Sequence, residues 1–272
     1  MKKLLTNFQV VVGLAIILFF VFVGVFAPFL APHDPLATNM PVRLTDPFYL
    51  AEHPLGTDEL GRDTLSRLIF GARVSLIVGF SSMVLGGSAG VIVGLVSGYF
   101  GGKLDTIIMR LVDVQLAFPG LLLALVIVTI LGPSTFNVIL AISIFAIPSF
   151  SRLTRGSVMA EKKQEYVDAI KALGASDIRV MFVHILPNVM TPIVVQATLF
   201  VGSAILTGAA LSFLGVGTPP PTPEWGSMLS NGRDFMTRTP HLIRLPGLLI
   251  LLIVIGTNLV GDGLRDALAP KK

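Results

Sequence analysis

Residues 161–187 read EKKQEYVDAIKALGASDIRVMFVHILP, a polar stretch set between two late apolar runs of an otherwise apolar chain. Tyr166, Ala169, Ile170 and Leu173 fall at i, i+3, i+4 and i+7 and draw one apolar stripe on a short helix. Its other face holds Glu161, Lys162, Glu165 and Lys171. Gly174 supplies a C-terminal stop. Ser176, with Asp177 in the first turn, caps a second helix through His184, which Pro187 ends or kinks. The spacing predicts a helical hairpin standing out of the apolar body. Such a hairpin lies either on anionic lipid, through Lys162, Lys163, Lys171 and Arg179, or in a groove on a protein. The near balance of acids and bases favours the protein, because a surface-seeking helix carries a strongly basic face.

The surrounding chain is dissolved in lipid. Of 272 residues 53% are hydrophobic and 13% charged, against about 25% charged in soluble domains. A bilayer core about 30 Å thick takes about 20 apolar residues per helix, so the expected class is an all-α polytopic membrane protein of about six spans. The apolar runs are 10–26, 74–98, 107–131, 136–150, 191–213 and 246–260. The first follows Lys2 and Lys3 but exceeds a secretory signal core, so it is expected to remain as a helix. Pro148 interrupts the fourth, which suggests packing inside protein where neighbours satisfy a freed carbonyl.

Basic residues near the span ends set the expected topology. One side gathers Lys2, Lys3, Lys103, Arg152, Arg155, Lys162, Lys163, Lys171, Arg179, Arg265, Lys271 and Lys272. That side is read as cytoplasm, with both termini on it. The other side has two longer segments, 31–73 and 214–244, rich in turn signals and too short and polar for independent domains. The organisation expected is a first helix over 1–30, an external segment over 31–73, a five-helix core over 74–264 with a cytoplasmic loop at 151–189, and a tail over 265–272. The formal charge of +4 then reflects retained cytoplasmic Lys and Arg, not nucleic-acid binding. The absence of cysteine excludes disulfides, thiol nucleophiles and thiolate-bound metals.

Ser82, Gly86, Gly90, Gly94 and Gly98 place a small residue at every fourth position of the second span. Such a stripe lets two backbones approach closely, either within this subunit, the simpler reading, or against a partner or the pore. Arg110 and Asp113, three apart near the start of the third span, suit a local ion pair, and Pro119 should kink that helix. Trp225 suits an amphipathic interfacial anchor or a contact with an external protein, the anchor being favoured. His33, His53, His184 and His241 show no metal-ligand spacing, and no nucleophile elbow or phosphate-cradling loop is present. No catalytic or metal residue is therefore expected on this chain. The scarcity of mid-membrane carboxylates also argues against an ion-coupled carrier.

Asp168-Ala169-Ile170, then Gly174, then Leu186-Pro187 resembles the E-A-A, three residues, G, nine residues, I-x-L-P signature of ATP-binding cassette (ABC) importer permeases. Departures are Asp168 for Glu, Ile170 for the second Ala and His184 for Ile. His53-Pro54-Leu55-Gly56-Thr57-Asp58 with Gly61-Arg62-Asp63, Leu211-Ser212-Phe213-Leu214-Gly215 with Pro223-Glu224-Trp225-Gly226, and Gly261-Asp262-Gly263-Leu264-Arg265-Asp266 are similar to segments, in the same order, of the C-type permease of dipeptide, oligopeptide and nickel importers. The resemblance implies a type I ABC importer permease fold in the bacterial inner membrane and a hairpin that docks an ATPase subunit. It also implies a companion permease, two ATPase subunits holding ATP and Mg, and an external substrate-binding protein. Short peptides are the favoured cargo, with glutathione and nickel or metallophores as alternatives.

Overall fold

The computed structural model describes residues 7–268, so Lys2, Lys3, Lys271 and Lys272 lie outside the described residues. With no water in the hydrocarbon core, each apolar run must satisfy its own backbone, and the helix does so. In chain order the helices are α1 Phe8–Val25, α2 Ala27–Leu30, α3 Thr64–Phe100, α4 Gly102–Leu116, α5 Gly120–Leu131 and α6 Thr135–Glu161. The hairpin and closing helices are α7 Glu165–Ala172, α8 Asp177–Arg179, a π-helix Val180–Ile185, α9 Leu186–Asn188, α10 Met190–Phe213, α11 Trp225–Gly232 and α12 His241–Leu268.

Five of these, α1, α3, α6, α10 and α12, are individually long and apolar enough to cross a membrane. The third apolar run is not one helix as the sequence suggested. It is the pair α4 and α5, bent by 87° at residues 117–119. Pro119 drives its preceding residue out of the helical region, and the kink expected there is a full break.

The small-residue stripe explains why that broken pair still makes a passage. A Cβ added at Gly86, Gly90, Gly94 or Gly98 would lie 2.6, 2.6, 2.8 and 3.1 Å from the Cβ atoms of Ala146, Phe150, Thr154 and Val158. The offset is constant, so α3 and α6 run parallel in close contact, and a return passage must join them. The bent pair climbs back along α6. Asp105 of α4 pairs with Arg155, Gln115 donates to the Ile144 carbonyl, and Asn137 Nδ2 donates to the Leu131 carbonyl at the far end of α5. Across the rest of the body α10 runs antiparallel to α3 (Gly79 against Ile205, Gly208 against Val78) and to α12 (Gly202 against Thr257), while α1 runs antiparallel to α12 (Gly13 against Gly256 and Val260). Among the described residues six alternating passages result when the bent pair counts as one, and the start of α1, the end of α12 and the hairpin share one face.

Two boundaries differ from the sequence reading. Helix α3 begins ten residues before its apolar run, at Thr64, because Asp63 caps it by accepting from the Ser66 N–H at 2.7 Å. Arg67 then sits inside the helix, buried and held by Asp58 at 3.3 Å. Helix α6 extends to Glu161 through Pro148 without breaking. Proline removes the N–H that the Ile144 carbonyl would have accepted from, and the Gln115 side chain supplies the replacement from α4.

Trp225 is neither an interfacial anchor nor an external contact. It is fully buried, donates Nε1–H to the Leu68 carbonyl at 3.0 Å and meets Phe20 edge-on at 5.4 Å. Gly71 leaves the space its indole fills. Glu224 holds α11 beneath it, accepting from the Gly226 and Ser227 N–H groups at 2.8 Å each, and burial pushes its carboxyl above the usual carboxylate range. The segment 214–244 is therefore anchored in the body through Glu224 and Trp225.

Candidate docking hairpin

The hairpin follows α6 directly. Its first limb, α7, buries Val167 completely against the main core, which also includes Val158, Val180 and Ile185. Tyr166 donates to Glu161 Oε1 at 2.8 Å and accepts from Asn188 Nδ2 at 3.0 Å. This ties the hairpin's entry to its exit, and burial pushes the Tyr166 hydroxyl above its ordinary range. At the tip Gly174 adopts φ +85°. Its N–H bonds the Lys171 carbonyl at 2.9 Å and the Ala175 N–H bonds the Ile170 carbonyl at 3.3 Å, a Schellman closure that favours glycine at that position.

The second limb is capped by Ser176, whose hydroxyl accepts from the Arg179 N–H. It then widens into the π-helix Val180–Ile185, which carries His184. Pro187 offers no N–H to the Val183 carbonyl, and the ladder loosens just before it. Single-turn π segments of this kind gather at functional sites. Leu186 and Pro187 lie in α9, which leads into α10.

The expected stripe divides on the structure. Tyr166 and Ile170 turn toward their own chain, while Ala169 is exposed and Leu173 is 87% exposed. Val167 takes the buried position because an eight-residue helix in a corner packs along its flank. Beyond Leu173 the outer surface continues with Ile178, 69% exposed, Val183 and Phe182. Asp168, next to Ala169, is exposed as well. The i, i+4 spacing of Ile178 and Phe182 was available in the sequence as a signal for this second half of the surface.

A latch joins the hairpin to the end of α3. Tyr99 is buried and donates its hydroxyl to Asp177 Oδ1, 78 positions away. Lys162 donates to the Tyr99 carbonyl, and the ammonium groups of Lys162 and Lys171 stand 5.4 and 4.7 Å from its ring centre. Beside it Arg155 grips Asp105 through two bonds of 2.6 Å. The hairpin is thus tied to the end of α3, and α6 to α4 beside it.

Other candidates fall elsewhere. The stripe Ser82, Gly86, Gly90, Gly94 and Gly98 is occupied by α6, with the Ser82 hydroxyl on the Ile139 carbonyl at 3.3 Å. Asp113 does not pair with Arg110. It pairs with Arg152 of α6 at 2.5 Å, because the bend turns that face of α4 toward α6. The histidines are less scattered than the sequence suggested: His33 and His53 meet beside Asp63 on the face opposite the hairpin.

With this geometry in view, comparison with known proteins gives consistent matches. A family model described as the inner membrane component of binding-protein-dependent transport systems covers residues 90–272, and one for the N-terminal transmembrane domain of oligopeptide transport permease C covers residues 1–47. The di/tripeptide transport system permease of Pseudomonas aeruginosa (strain UCBPP-PA14) is 52% identical over 95% of this chain and 87% of its own length. The dipeptide permease of Escherichia coli (strain K12) is 51% identical over 97% and 90%. A glutathione permease of Shigella flexneri serotype 5b is 46% identical over 94% and 84%. Among solved structures, an inward-facing form of the MetNI methionine ABC transporter matches with a TM-score of 0.62 at 18% identity, over 75% of this chain and 98% of that one, a likeness of fold.

Proposed function

The chain belongs to the family of binding-protein-dependent transport system inner membrane components, and from that membership we propose that it forms half of a path for short peptides, driven through its hairpin. It is a transmembrane permease subunit of an ABC importer with the type I permease fold, a transport subunit and not an enzyme. The peptide reading rests on the di/tripeptide and dipeptide permeases being the more similar relatives. The glutathione permease stays within that class, since glutathione is itself a tripeptide.

The observation that carries the docking role is the exposed apolar surface of Ala169, Leu173, Ile178 and Phe182 on a hairpin outside the lipid-spanning body. Apolar side chains gathered on a solvated projection call for a partner. In an importer, that partner is an ATPase subunit that holds ATP and Mg. The hairpin's face also carries Lys103, Arg152, Arg155, Lys162, Lys163, Lys171, Arg179 and Arg265, so the positive-inside rule makes it cytoplasmic. Both termini follow it there. The opposite face, built from 31–63 and 214–240, receives the substrate-binding protein, and a companion permease completes the path. Closure of the ATPase pair pulls the hairpin, and the Tyr99 latch rocks α3 and α6 as one unit between inward-open and outward-open states.

Replacing Leu173 and Ile178 together with Asp tests this reading. Loss of two apolar contacts and burial of two unpaired charges should weaken ATPase capture by about a hundredfold or more, and uptake should fall with it. The chain should still insert and fold. Normal peptide uptake by that variant would sink the docking role.

A further inference from the structure

The polar segment between α1 and α3 places three metal-ligating side chains side by side, although His33, His53 and Asp63 are 20 and 10 residues apart in sequence. One ligand atom from each lies within 4.8 Å of the others. His53 and Asp63 are buried, and His33 is half-buried at the rim. We propose that these three residues form a divalent-cation site of the zinc class on the face opposite the hairpin.

The donor set, two imidazoles and one carboxylate, suits zinc and excludes a calcium or magnesium preference, since those ions take oxygen ligands. The carboxylate is already divided between two tasks. Asp63 Oδ2 accepts from the Ser66 N–H and hydroxyl, each at 2.7 Å, and caps α3. Oδ1 is left facing His53 Nδ1 at 3.0 Å. That spacing is close to the separation of two ligands on one zinc ion, about 3.3 Å for bonds near 2.0 Å at tetrahedral angles.

His33 is held as a metal-bound imidazole usually is. Its Nε2 lies 2.7 Å from the Glu52 carbonyl, so Nε2 carries the proton and Nδ1 keeps its lone pair, the tautomer that an outer carbonyl acceptor fixes in metal sites. Its backbone N–H donates to the same Ser66 hydroxyl, at 3.0 Å, that donates to Asp63. The two imidazole rings stand 4.7 Å apart and 42° from parallel. Bringing ligand atoms that lie within 4.8 Å of one another to the spacing of zinc ligands asks for a displacement of about 1.5 Å, which the half-buried His33 at the rim is placed to make.

A His53–Asp63 hydrogen bond that merely braces the cap of α3 would not need His33, and that difference makes the test. The full chain, purified in detergent without a polyhistidine tag, is titrated with zinc ion against a chromophoric chelator, and its metal content is measured by mass spectrometry. The expected result is one zinc per chain, with affinity at least about tenfold weaker in His33→Ala and a zinc-dependent rise in melting temperature that the variant lacks. His33→Phe keeps an aromatic ring against His53 and must lose the zinc response as well. Equal zinc binding by wild type and both variants, or no zinc retained by the wild type, would overturn the site. Neither result bears on peptide transport.

Discussion

The glycine face of α3 and the outer surface of the hairpin both read in the sequence as surfaces in want of a partner. On the structure only the hairpin still wants one. Gly86, Gly90, Gly94 and Gly98 are filled along their whole length by α6, whereas Leu173 and Ile178 stand 87% and 69% exposed. Small residues in a lipid-spanning helix announce a close neighbour without saying whose it is, because lipid gives no hydrophobic drive and contact itself must hold the helices. Apolar residues on a solvated projection are more informative. Water penalises them, so their persistence there implies a cover from outside the chain.

The sharpest way to break the comparison is to fill the glycine face. Gly90→Leu places its Cβ 2.6 Å from the Phe150 Cβ and 2.8 Å from the Ile147 carbonyl oxygen, a backbone atom that cannot step aside. Overpacking of this kind costs about 3 kcal/mol or more where backbone must move. The variant should aggregate or be degraded in the membrane, with a melting temperature in detergent well below that of the Leu173/Ile178 double variant. Equal stability of the two would mean that α3 and α6 are not the fixed frame on which the hairpin acts.

Tyr99→Phe sharpens the comparison at the joint between frame and hairpin. It keeps the ring that Lys162 and Lys171 approach and removes only the hydroxyl that bonds Asp177. A hydrogen bond to a charged group is worth about 1.5–3 kcal/mol, enough to loosen the second limb without unfolding the body. ATPase capture should persist while uptake per ATP hydrolysed falls, and amide exchange should quicken over residues 176–188. Unchanged coupling and exchange would remove the latch from the mechanism.

The hairpin was legible because its determinants are local. Gly174 as a helix stop, Ser176 as a cap and Pro187 as a breaker each act within a few residues of themselves. Its inward side was less so, since Val167 is buried in a core shared with Val158 and Val180 of other elements, and the buried Tyr99 bonds Asp177 78 positions on. The start of α3 was misplaced for a similar reason. Arg62 and Arg67 look like loop charges until Asp58 is seen to pair with both, at 2.6 and 3.3 Å, with Glu59 also on Arg62 at 2.9 Å. The break between α4 and α5 hides inside one continuous apolar run, where composition is blind to direction. Trp225 was read by its chemistry as amphipathic, but its polar atom finds an acceptor inside the body at Leu68.

The smallest expected effect falls on the bent pair, which belongs to neither side of the comparison and connects them. The proline in α6 leaves the Ile144 carbonyl without its helical donor, and Gln115 of α4 is the donor that replaces it. Gln115→Leu keeps the bulk and removes the N–H, leaving a carbonyl unsatisfied among apolar neighbours at about 1–2 kcal/mol. The loss should appear as a modest fall in melting temperature with ATPase capture intact. Adding Pro148→Ala restores the α6 N–H, so the double variant should recover most of that stability. If Gln115→Leu is as harmful in the Pro148→Ala background as alone, the two residues are not partners, and the bent pair is held to α6 by its ion pairs at Asp105 and Asp113 instead.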